Sequence, residues 1–151
     1  MRIKIEHLRE TIRRVIKESG HEERIARQFF SSVQEACEER GFGFTPLTGR
    51  ASGTKWYNGC IANTPELEGY TYVCDGHDEY GAECVVFLNP QGRICIMVPS
   101  DNPPQPREFI LCECQGVEDA ARCAASGLND PEMLKLARGH NCIKLFLLNQ
   151  N

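Results

Sequence analysis

The chain has 151 residues, of which 41% are hydrophobic and 25% charged, and a formal net charge of −4. That length suits one domain with a substantial core, and the balance excludes a disordered or low-complexity chain. No stretch approaches the ~20 apolar residues of a membrane-spanning helix. The early apolar positions are interrupted by Arg, Lys and Glu, which argues against a secretory signal and for the cytoplasm.

The charge is unevenly placed. Residues 1–19 hold six basic and three acidic side chains, a net +3, and the rest holds eleven basic and eighteen acidic, a net −7. A basic terminus on an acidic body implies that this segment meets something negative. The simplest candidate is the protein's own acidic surface, with nucleic acid the less favoured one. Within the segment Ile5, Leu8, Ile12 and Val15, with Ile16 beside them, make a narrow apolar seam on an amphipathic helix.

A second helix is expected from His21 to Arg40, with Ile25, Ala26, Phe29, Phe30, Val33, Ala36 and Cys37 at helical spacing and Gly41 as its C-terminal stop. From Gly41 to Gly69 the periodicity is lost among six glycines and two prolines, which predicts a long turn-rich segment, with short strands around 55–62 as an option. Strands are expected at 70–74, 82–88, 93–98 and 108–114, the second and third joined by an Asn89-Pro-Gln-Gly92 turn. Two short helices, 117–125 and 131–138, lead to a closing strand at 142–148; Asp130 caps the second helix and Gly139 ends it. The fold class is therefore α+β. It combines an N-terminal helical hairpin, a mostly antiparallel sheet of about five strands with helices on one face, and two short helices before the last strand. Residues 1–19 form the basic helix, and 20–151 a single α+β domain.

Nine cysteines are an odd number, and without an export signal they read as reduced thiols packed as small hydrophobes. The alternative is zinc, for which Cys74, His77, Cys112 and Cys114 supply thiolate and imidazole ligands. Paired Cys-x2-Cys knuckles are missing, and Cys residues two apart are also what a half-buried strand produces, so the core reading is adopted and no cofactor is expected. His77 or His140 could activate a cysteine as a nucleophile, a pairing that so many Cys and His residues offer by chance. Asp75-Gly-His-Asp-Glu79 reads as an acidic loop between strands, able to hold a cation or move a proton. The Gly-rich segment carries Arg50, Ser52, Thr54, Lys55, Trp56 and Tyr57, a set that suits an anionic or base-stacking ligand together with His77. It is not a phosphate loop, because Thr54 separates Gly53 from Lys55 and no apolar strand precedes it.

The opening residues Leu8, Arg9, Ile12, Arg13, Ile16, Lys17 and Glu18 follow the pattern Leu-Arg-x-x-Ile-Arg-x-x-Ile-Lys-Glu. The segment resembles a leader on uncharacterised proteins of tailed bacteriophages. That resemblance covers residues 1–19 and implies a genomic setting rather than an activity. The leading expectation is a non-enzymatic interaction or structural protein that docks on a protein partner through Ile5, Leu8, Arg9, Ile12, Arg13, Val15 and Ile16. The alternative is a small enzyme with its site between the 41–69 segment and the 75–79 loop, followed by a nucleotide or nucleic-acid binding module.

Overall fold

A computed structural model describes residues 20–47, 51–100, 108–135 and 141–147. The N-terminal seam lies outside these residues, as do Arg50 and His140. Helix α1 spans His21–Glu39 and buries Ala26, Phe29, Val33 and Cys37, spaced three and four apart. Its end follows the expected glycine stop. Gly41 takes φ +88°, and the amides of Gly41 and Phe42 donate to the carbonyls of Glu38 and Cys37. This closes the last turn and folds buried Phe42 back onto buried Cys37.

Among the described residues six strands follow: β1 Phe44–Pro46, β2 Thr71–Asp78, β3 Glu83–Leu88, β4 Ile94–Pro99, β5 Glu108–Glu113 and β6 Asn141–Phe146. They form one antiparallel sheet in chain order, β1-β2-β3-β4-β5-β6, each strand bonded to the next. Five occupy the expected places, and β1 is the addition. The β3–β4 turn is held by Asn89, whose Oδ1 accepts from the amides of Gln91 (3.0 Å) and Arg93 (2.8 Å) while Gly92 takes φ +81°.

Helix α2 spans Ala51–Asn63, followed by a 3-10 turn at Pro65–Leu67. This corrects the expected loop over 41–69. Trp56, Tyr57, Cys60 and Ile61 recur at three- and four-residue spacing and all pack into one apolar cluster, so burial outweighs the low helix propensity of Gly53 and Gly59. Helix α3, Val117–Asn129, and the short α4, Pro131–Lys135, are the other helices among the described residues. Asp130 Oδ1 accepts from the Glu132 amide (3.1 Å), the cap the sequence pattern implies.

Helices cover both faces of the sheet rather than one. On the first face α1 and α3 pack on each other and over Cys74, Val86, Ile96, Ile110 and Cys112. Small residues permit this: Ala120, Ala121, Ala124, Ala125 and Gly127 are buried along α3, and a Cβ at Gly127 would stand 3.2 Å from Val98. On the second face α2 lies against β2, and the apolar row continues through Phe87, Met97, Phe109, Leu111 and Leu145, all buried. The reason is in β3 and β4, whose unbroken apolar runs are those of strands buried on both sides.

Candidate functional site

One polar cluster stands out, and a β-bulge assembles it. Tyr72 pairs with Phe87 and Cys74 with Val86, so Val73 is an extra residue in β2. Val73 and Cys74 both turn into the first-face core, which leaves Tyr72 and Asp75 together on the second face. Without the bulge those two side chains would alternate to opposite sides. His77 follows on the same face, directly opposite Glu83 of β3.

Helix α2 closes the cluster from above. The Tyr57 ring stacks on the Tyr72 ring, centroids 5.4 Å apart and planes 10° off parallel. The Tyr57 hydroxyl donates to Glu83 Oε2 at 2.8 Å, and the Tyr72 hydroxyl donates to Oδ1 of Asp75, which is buried. Two phenols thus serve two carboxylates beneath a helix. Such a set can hold or pass a proton, or bind a cation. His77 sits half-buried at the rim, its Nδ1 donating to the Asp78 carbonyl at 2.8 Å.

The expected acidic loop is for the most part strand. β2 runs through Asp78, and Asp78 is buried, with Oδ1 accepting from the amides of Tyr80 (2.9 Å) and Ala82 (2.8 Å). It shapes the turn rather than offering a ligand. Of the Gly-rich set, Arg50 lies outside the described residues, as do the side chains of Ser52 and Thr54. Lys55 is exposed on α2, Trp56 is half-buried with its ring 4.8 Å edge-on to Tyr57, and Tyr57 is buried. Tyr57 is therefore the residue of that set which α2 brings onto β2.

The zinc alternative does not assemble. Cys74 and His77 stand on β2, Cys112 and Cys114 on or just past β5, and β3 and β4 run between. Three strand spacings amount to roughly 14 Å, far beyond a shared ion. Cys112 is also bonded to Cys142, directly opposite it on β6, with Cα atoms 4.1 Å apart. That corrects the expectation of nine reduced thiols. The other seven cysteines remain thiols, and all are buried.

Burial sets their chemistry. The Cys37 thiol is lifted from 9.0 to about 11 by burial, with the Asp78 charge adding to it. Burial and then Glu113 lift Cys95 to about 12. Burial also raises Cys74, next to Asp75, and Cys84. These are protonated at neutral pH, the opposite of a nucleophile's tuning. Cys114 differs: its Sγ, a carboxylate oxygen of Asp119 and the Cys123 Sγ lie within 4.8 Å of one another. No family model, curated protein or solved structure matches this chain.

Proposed function

We propose that this chain is an interaction or structural protein that docks on a protein partner through its basic N-terminal segment. The observation that carries the reading is the seam of Ile5, Leu8, Ile12, Val15 and Ile16 beside Arg9 and Arg13, on a chain otherwise net acidic. A segment of this length is marginal as an isolated helix in water and needs a surface to pack on. Edge strand β6 adds apolar surface in Ile143 and Phe146, 48% and 50% exposed. A phage setting, and a place in the host cytoplasm or the virion, belong to the same proposal. No helix among the described residues is long and apolar enough to cross a membrane.

The test is a pair of charges placed in the seam, Leu8→Glu with Ile12→Glu. In extract of the producing cell the full chain is expected to elute within a larger complex and the double variant as a free monomer, with similar melting curves. The same elution position for both chains contradicts docking through this seam.

A second reading rests on the cluster under α2, where the bulge gathers Tyr72, Asp75 and His77 against Tyr57 and Glu83. Here the chain is a small enzyme, or binds a small cationic ligand, with Asp75 and Glu83 as the charged groups. Ligand-induced quenching of Trp56 fluorescence that Glu83→Gln abolishes supports it. Quenching that the substitution leaves unchanged counts against it.

A further inference from the structure

We propose that Cys114, Asp119 and Cys123 form a binding site for a thiophilic divalent cation, zinc by its chemistry, at the junction of β5 and α3. The three donor atoms come together because the chain turns sharply there. Cys114 follows the last residue of β5, and its amide bonds back to the Ile94 carbonyl at 2.9 Å. Gly116 precedes the first turn of α3, and Asp119 and Cys123 then fall four residues apart on one face of that helix. The result is a Cys-x4-Asp-x3-Cys set with all three donor atoms within 4.8 Å.

The chemistry of the donors favours a cation. Two thiols and a carboxylate packed this closely repel one another as anions. A dication at the centre reverses the sign of that interaction, and both thiols then bind as thiolates. The positive end of α3 faces the same place and favours thiolate further. Soft sulfur donors select zinc over magnesium or calcium.

The surroundings are those of a supported site. The Gln115 amide donates to Asp119 Oδ2 at 2.9 Å, which orients the carboxylate. Cys114 and Cys123 are buried while Asp119 is partly exposed, so an ion has a route in and water has access to a fourth position. The site lies on the first face, away from the cluster under α2.

The experiment is a cobalt(II) titration of the full metal-free chain, followed by displacement with zinc. We expect one cobalt per chain with sulfur-to-metal charge-transfer absorption, bleached by zinc. Cys123→Ser should roughly halve that absorption, one of two thiolate ligands being lost. Asp119→Asn, at a partly exposed position where folding is least at risk, should weaken zinc by roughly 10- to 100-fold. Cys60→Ala, at a buried thiol of α2 on the second face, should leave the titration unchanged. The proposal is overturned if the unaltered chain shows no charge-transfer absorption. It is also overturned if Cys123→Ser and Asp119→Asn leave the titration unchanged, or if Cys60→Ala abolishes it equally.

Discussion

At the scale of single residues the sheet has positions where one atom decides. A Cβ at Gly76 would stand 2.2 Å from Phe44 Cζ and 2.8 Å from the Thr45 carbonyl oxygen, and that backbone, paired in β1, cannot retreat. Gly76→Ala is expected to cost about 1–3 kcal/mol, as overpacking does. Gly43→Ala, with open space around it, should change the melting temperature little. Equal melting of the two variants would show that β1 gives way. Tyr72→Phe removes a donor from buried Asp75, a loss of about 1–3 kcal/mol by urea unfolding. The thiols give a pH dependence. Unfolded, they lose protons near pH 9, whereas folded Cys37 holds its proton to about 11. Unfolding therefore releases protons in that window, so stability complete below pH 9 is lost as pH rises through about 11. Cys37→Ala should flatten part of that decline in melting temperature, and an unaltered slope would show that the thiol does not titrate there.

At the scale of elements, the strongly periodic segments were legible and those built by tertiary contact were not. The seven apolar positions of His21 to Arg40 announced α1, and the Asn89–Gly92 turn announced a hairpin. Helix α2 was hidden because Gly53 and Gly59 dilute its pattern, and it is stabilised by Tyr57 and Cys60 meeting Tyr72 and Phe87. Register was equally hidden. Nothing in the composition says that Cys112 faces Cys142, or that Val73 is the extra residue of a bulge. For that reason the cysteine reading held for seven residues and failed for this pair, and the zinc alternative fell on residues three strands apart. The Cys114, Asp119 and Cys123 set crosses from strand to helix, so neither a period of two nor one of 3.6 reveals it. The β5–β6 bond can be checked directly. It links residues 30 apart in sequence, so reducing it should cost about 3–4 kcal/mol, a fall in melting temperature of roughly 10 °C. Alkylation of the unfolded, unreduced chain should label seven cysteines, and nine would contradict the bond.

At the scale of the molecule, a meandering antiparallel sheet carries helices on both faces, and Tyr57, Tyr72 and the seven thiols are buried within it. The α+β class followed from strands grouped between helical segments. The second covered face did not, because it depends on α2 and on unbroken apolar strands that sequence alone does not orient. On this account residues 20–151 hold the fold, and residues 1–19 serve a partner. The most direct measurement is thermal melting of residues 20–151 beside the full chain, with sedimentation of both. The account predicts a cooperative transition within a few degrees of the full chain's, and loss of the larger complex. Unfolding of the shortened chain would contradict it, and would make the seam of Ile5, Leu8, Ile12 and Val15 part of what holds the fold rather than a docking surface.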